Sequence, residues 1–188
     1  MKPRLIVMVK EPRPGRVKTR LAVDIGSIQA VWWFRHQVAR LLQRVHDPRW
    51  ELVLAVAPDV AAGSAAFPSH LARVPQGRGD LGQRMARAMA GHRGPVCVIG
   101  ADIPGINRTR IAAAFAALGG ADAVFGPAED GGYWLVGLKN AAPLPAGLFR
   151  GVRLSTEHAL ADSAATLAGR RIAYVDTLRD VDTAADLR

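Results

Sequence analysis

Short apolar runs closed by Gly, Pro or Asp alternate along this chain with longer, Ala-rich amphipathic stretches. That alternation constrains the fold more than any single motif does, because strands that take turns with helices build an α/β sheet covered by helices. The pattern predicts strands at Leu5–Val9, Glu51–Ala57, Leu71–Val74, Val96–Gly100, Ala123–Gly126, Tyr133–Leu138 and Ile172–Val175. Helices are expected over Ser27–His46, Leu81–His92, Thr109–Leu118 and Thr156–Gly169, with a short one near Thr183–Leu187. Asp80 is placed to cap the helix carrying Met85 and Met89, and Ser155 or Thr156 to cap the one starting near Glu157.

Leu5–Val9 and Val96–Gly100 are apolar throughout, as strands covered on both faces should be, and so belong near the sheet centre. Ligands of such sheets sit beyond the carboxyl ends of the strands. The segments that follow, 10–20 and 101–107, are therefore where chemistry is expected. With 188 residues, no repeat and no composition break, residues 1–188 read as one domain.

The first of these segments concentrates charge. Residues 1–93 carry 16 cations and 6 anions, net +10, whereas residues 94–188 carry 9 and 10, net −1. Lys10, Arg16, Lys18 and Arg20 follow the first strand around the Pro14-Gly15 turn. Gly15 lets backbone approach an oxyanion, and the cations can meet phosphate oxygens from one side. The same run also fits a solvated basic loop on an Arg-rich chain. It lacks the Gly-x-x-x-x-Gly-Lys-Ser/Thr pattern of a Walker loop.

The formal charge of +9 admits a nucleic-acid-binding module as a competing class. No zinc-finger spacing, long basic helix or aromatic RNA-binding motif accompanies it, so no nucleic-acid partner is expected. Five apolar residues at Leu5–Val9 are too few for a signal peptide, and no stretch reaches membrane-spanning length. Cys97, the lone cysteine, lies in an apolar run and reads as a buried, inert thiol. A cytoplasmic location is the expectation. The five histidines show no metal-ligand spacing. Trp32, Trp33 and Phe34 read as core or as a homodimer contact.

The acids fall at strand ends. Asp102, just past Val96–Gly100, suits Mg²⁺ or Mn²⁺, which one or two carboxylates hold together with phosphate oxygens, but also fits an Asp-x-Pro turn. Asp180 and Asp182, two apart, can face one cation if extended, or Asp182 can cap the last helix. Glu129-Asp130-Gly131-Gly132 reads as a tight loop into Tyr133–Leu138, either a surface hairpin or a close approach to a ligand. Gly77-Arg78-Gly79-Asp80 precedes a helix N-terminus that favours anions, or is an ordinary turn. Ser155 and Thr156 fit a helix cap or a phosphate contact.

Five blocks, in order, resemble the DUF2064 family: Val9–Leu21, Pro75–Met85, Ile99–Gly105, Gly126–Leu135 and Asp180–Leu187. Where that family often has Trp-Ser-Thr, this chain has Leu154-Ser155-Thr156. The resemblance implies a GT-A-like fold, a three-layer α/β/α sandwich with a mostly parallel mixed sheet. It also implies a nucleotide-dependent transferase with Mg²⁺ or Mn²⁺ on Asp102 and on Asp180 or Asp182. Lys10, Gly15, Arg16, Lys18, Arg20, Gly77, Gly79 and Asp80 would then face the nucleotide, and Lys18, Asp102 and Asp130 the reaction. Glu129, Asp130, Gly131, Gly132, Tyr133, Ser155 and Thr156 would face a small-molecule acceptor, with Tyr133 or Trp134 as its apolar wall. The family label implies glycosyl transfer from a nucleotide-sugar; nucleotidyl transfer with loss of pyrophosphate, as in guanylyltransferases, is the alternative, and nucleotide binding without turnover a third reading.

Overall fold

Seven strands form one mixed sheet in the order β3-β2-β1-β4-β6-β5-β7: β1 Arg4–Lys10, β2 Glu51–Ala57, β3 Ala72–Pro75, β4 Val96–Gly100, β5 Ala123–Pro127, β6 Tyr133–Leu138 and β7 Ile172–Tyr174. The computed structural model describes residues 1–179, with Arg20 described for its backbone alone, so Asp180, Asp182 and the expected helix near Thr183–Leu187 lie outside the described residues. Among the described residues, no helix is long and apolar enough to cross a membrane.

Alternation along β1 builds the layers. Leu5, Val7 and Val9 point into one core with α2 (Ser27–Val45) and α4 (Arg108–Gly120), while Ile6 enters another with Met85 and Met89 of α3 (Leu81–Met89). The sheet is thus covered on both faces, as its apolar central strands require. The fold is the expected α/β sandwich. Cys97 is fully buried, and burial pushes its thiol well above the ordinary range. Phe34 joins the core and Trp33 packs partly against it, whereas Trp32 is exposed and stacks on His36.

β6 runs antiparallel to both β4 and β5. Its first residue, Tyr133, therefore lies at the sheet edge where β1, β4 and β5 end. Topology brings the basic segment after β1, the acid after β4 and the acidic turn before β6 to one edge.

The helices correct three expectations. α1, Thr19–Ile25, turns the end of the expected basic loop into helix, anchored by the fully buried Leu21. α3 ends at Met89, where Gly91 takes up a left-handed φ of 81° and breaks the run expected to reach His92. α5 spans Ala159–Ala165 rather than starting near Thr156. Ser155 is left-handed, with φ 61°, and Thr156 serves a local turn, its hydroxyl donating to Arg153 O and accepting from His158 N. Neither residue caps α5.

Asp80 does cap α3. Its carboxylate accepts from Gln83 N at 2.8 Å, and Gln83 Oε1 accepts from Asp80 N at 3.2 Å, a reciprocal capping box. Asp80→Ala is expected to lower stability by about 1 kcal/mol and Asp80→Asn by a few tenths. Urea denaturation midpoints check it.

Candidate active site

The site is two cavities at the carboxyl edge of the sheet, with β1 between them: Lys10 lines one and Met8 the other. The larger, about 940 Å³, is bounded by the segment after β1, the end of β2 and the Gly77–Gly79 turn. Lys10, Gly15, Arg16, Gly77 and Gly79, all expected to face a nucleotide, line this cleft. Asp80 does not, because its carboxylate is turned into the α3 cap.

Gln76 explains why the turn sits there. Buried to 5% exposure, its amide nitrogen donates to Val9 O at 3.2 Å and Ala55 O at 2.8 Å, tying the third strand's exit to the ends of the first two. Asp59 accepts from Gly77 N at 2.9 Å, and the Arg87 guanidinium donates to Gln76 O and Arg78 O. These contacts hold Gly77 at φ 75° and Gly79 at φ 106°, left-handed values natural to glycine.

The cleft is basic. Lys10, Arg13, Arg16, Arg78 and Arg84 line it, against Glu11 and Asp59. Arg84 Nε donates to Gly79 O, and Arg13 Nε sits 2.6 Å from Glu11 Oε2, so both are partly committed to the wall. The Ser64 hydroxyl first, then Arg13, hold the Glu11 carboxyl below its ordinary range despite burial. Lys10, Arg16 and Arg78 carry the exposed positive charge.

Sequence reasoning missed Pro58, Asp59, Val60 and Arg84 as cleft residues. Asp59, two residues past β2, was visible as an acid at a strand's carboxyl end. Arg84 looked like an ordinary helix cation, and only the turn of α3 toward β3 places it in the cleft.

Lys18 pairs with Asp102, which lines the smaller cavity, while Lys18 itself lines neither cavity. Lys18 Nζ lies 3.0 Å from Asp102 Oδ2 and 5.8 Å from the centre of the Trp33 ring. The Lys18 side chain is only 7% exposed and that of Asp102 is 41%. Lys18 reaches this position from a left-handed backbone, φ 47° and ψ 48°, at the N-terminus of α1. That conformation costs a non-glycine residue roughly 1–3 kcal/mol, and such strain clusters at functional sites. The Arg20 side chain, also expected to face phosphate, is outside what the structure describes.

The smaller cavity, about 220 Å³, lies over β1, β4 and β6. Asp102, Asp130, Gly132, Tyr133 and Ser155 line it, together with Leu81 and Met85, apolar residues of α3 that the sequence did not single out for the site. Glu129, Gly131 and Thr156 do not line it. Glu129 is exposed, its N–H bonded to Leu178 O, and Gly131 is pressed against the Glu157 backbone. The 128–132 turn is thus a β-hairpin, and Asp130 faces a cavity because the hairpin docks on the 157–160 segment, with Leu160 N donating to Gly131 O at 3.1 Å. Gly132 N donates to Asp130 Oδ1 at 2.8 Å and orients that carboxylate.

Tyr133 lines this cavity. It packs edge-on against Phe125 with ring centres 5.2 Å apart, its hydroxyl accepts from Ser163 Oγ at 3.2 Å, and burial pushes its phenol up to about 12. Tyr133 is therefore a neutral surface near neutral pH and no base. Trp134 is only 1% exposed and its indole donates to Asp176 O, so its ring belongs to the core.

Asp102 is a half-exposed oxygen donor at a strand end, the chemistry that Mg²⁺ or Mn²⁺ takes when phosphate oxygens complete the shell. Among the described residues no group of three His, Cys, Asp or Glu side chains surrounds a common point.

The fold and site are those of an α/β protein whose mixed sheet carries a basic cleft and a strand-end acid at one edge, and solved transferase structures share that fold. A nucleotide-diphospho-sugar transferase, provisionally assigned as such, from Desulfovibrio desulfuricans G20 superposes with a TM-score of 0.89 at 29% identity over 99% of this chain and 84% of that one. CMP:2-keto-3-deoxy-manno-octonic acid synthetase, solved with CTP, matches at 0.58 and 13% identity over 100% and 95%. Rv0371c of Mycobacterium tuberculosis H37Rv, solved with manganese, matches at 0.53 and 14% over 100% and 97%. No curated protein sequence matches. The chain belongs to the DUF2064 family, described as uncharacterized and conserved in bacteria, whose profile matches residues 37–156.

Proposed function

We propose that this protein is a metal-dependent nucleotidyltransferase that moves a nucleoside monophosphate from a nucleoside triphosphate to a small-molecule acceptor. The observation that carries this reading is the contrast of charge between the two cavities at one edge of the sheet. A cleft with a surplus of cations lies on one side of β1 and a cavity whose charged lining residues are both acids on the other, and one of those acids, Asp102, pairs with Lys18.

In this reading the cleft binds the triphosphate through Lys10, Arg16, Arg78 and the Gly15 and Gly77–Gly79 backbone, and the second cavity binds the acceptor. The acceptor oxygen bonds to the α-phosphorus, the bond to the bridging oxygen breaks, and pyrophosphate leaves. The acceptor's proton passes to the Asp130 carboxylate or to water. Mg²⁺ or Mn²⁺ held by Asp102 would supply charge stabilisation at the phosphates. Lys18 moves its ammonium from Asp102 toward the phosphates, stabilising the charge of the transfer without a covalent intermediate. Asp180 or Asp182 would hold the cation together with Asp102.

Glycosyl transfer is the second reading, favoured by the name of the Desulfovibrio relative. The acceptor then attacks the sugar carbon and a nucleoside diphosphate leaves. The surplus of cleft cations supports the triphosphate. The deciding experiment is a thermal-shift screen of nucleoside triphosphates and nucleotide-sugars with and without Mg²⁺ or Mn²⁺, followed by product analysis. Stabilisation by a triphosphate and pyrophosphate release are expected; stabilisation by nucleotide-sugars alone would replace the first reading with the second.

Lys18→Ala and Arg16→Ala are expected to weaken triphosphate binding about tenfold or more, since a charge-assisted hydrogen bond contributes ~1.5–3 kcal/mol. Nucleoside binding should change less than twofold. Isothermal titration with both ligands checks this, and equal losses would make the two residues supports of the fold.

A further inference from the structure

The smaller cavity restricts what the acceptor can be. Its floor and walls are apolar, with Met8, Met85, Val136 and Leu154 among them, and every charged residue among the described lining is an acid: Asp102 and Asp130. Lys18, bonded to Asp102, is 7% exposed behind it against Trp33 and lies outside the lining. Arg153, on the neighbouring segment, is held by Asp162 through two hydrogen bonds of 2.8 and 2.9 Å. The Arg153 guanidinium in turn holds the Asp162 carboxyl down at about 2, so this pair stays closed at neutral pH.

With Asp102 paired to Lys18, an acceptor carrying a phosphate or carboxylate would enter beside the Asp130 carboxylate with no cation facing it from the described lining, and its desolvation would go uncompensated. An apolar body gains from the walls about 25 cal/mol per Å² removed from water. The volume of about 220 Å³ limits that body to a small one. A polar atom is required only at the mouth. There Gly132 N–H holds Asp130 Oδ1, which leaves Oδ2 to accept from a hydroxyl.

We infer that the acceptor is an uncharged alcohol with a small apolar body, and that the cavity selects against anionic acceptors. This rests on the reading of the second cavity as the acceptor side, but its test does not need the nucleotide. Saturation-transfer NMR on the full chain, in competition format, would compare 2-phenylethanol, phenylacetate and 2-phenylethyl phosphate, which share one body. The alcohol should bind at least tenfold tighter than either anion. Ala159→Phe, which fills the cavity at a lining position, should abolish its binding. Should that variant fail to fold, Asp130→Asn tests the same point: it should raise phenylacetate affinity about tenfold relative to the alcohol.

Tighter binding of either anion, no binding of the alcohol up to its solubility, or an unchanged preference in Asp130→Asn would overturn the inference. The transferase reading is scored separately, by the thermal shift with triphosphate. Alcohol selection without a triphosphate response supports this inference and removes that reading; a triphosphate response with anion selection does the reverse.

Discussion

Asp102→Asn is expected to lower turnover roughly 10³-fold, the scale on which losing one preorganised charge contact acts in a transition state. Three observations set that size. Asp102 follows a strand whose residues are buried almost throughout, it lines the smaller cavity and pairs with Lys18, and its side chain is 41% exposed, open to a cation. Asparagine is the right probe because its amide oxygen can still accept from Lys18 Nζ, 3.0 Å from the present carboxylate oxygen. Stability should therefore fall by about 1–3 kcal/mol, because the nearly buried Lys18 ammonium keeps a hydrogen bond but loses its counter-charge. Calorimetry with triphosphate and Mg²⁺ should show the metal-dependent part of the affinity gone and the metal-free part retained. Unchanged metal-dependent affinity would make Asp102 a turn residue that happens to pair with Lys18.

How far this site could be read from sequence depends on which residues chain order alone brings together. β2, β4 and β6 were legible to the residue, because each is an apolar run between turn formers. The segments after β1 and β4 were legible as the place for chemistry, since central apolar strands imply loops at a shared edge. α1 was not. Its neighbours Arg13, Arg16 and Lys18 suggested a solvated loop, while the pair Val17 and Leu21, four apart and both buried, carried the helical signal. Lys18, the residue that pairs with Asp102, sits in a conformation that sequence disfavours for lysine. The start of α5 misled for the opposite reason: Ser155-Thr156-Glu157 looks like a cap, but Thr156 spends its hydroxyl on Arg153 O.

The two cavities themselves were not legible, because each combines segments distant in the chain. Arg84 meets Lys10 only because β3 and β2 lie beside β1, and Asp130 meets Asp102 only because β6 inserts antiparallel between β4 and β5. The charge asymmetry did survive into three dimensions. Cations of the first half line the cleft, and acids of the second half line the smaller cavity.

Gly131→Ala is expected to cost about 3 kcal/mol and to damage the acceptor cavity, although Gly131 itself does not line it. A β-carbon there would meet the backbone of Glu157, with its carbonyl oxygen closest and its Cα at 2.7 Å, and backbone cannot swing away as a flexible side chain can. Gly131 also holds φ 83°, where alanine is disfavoured by about 1–2 kcal/mol. Gly147→Ala separates the two causes. Gly147 has φ 75° with nothing within 4 Å of where a β-carbon would stand, so it should lose only the conformational part, about 1 kcal/mol. The excess in Gly131→Ala then measures the docking of the hairpin on the 157–160 segment. Because that docking aims Asp130 into the cavity, 2-phenylethanol binding should fall at least tenfold in Gly131→Ala, while triphosphate binding, on the far side of β1, should stay within twofold. Urea midpoints for both variants and the two titrations decide it. Equal destabilisation of the two variants would mean that the hairpin is not held by this contact, and Asp130 would lose the reason given for its place in the site.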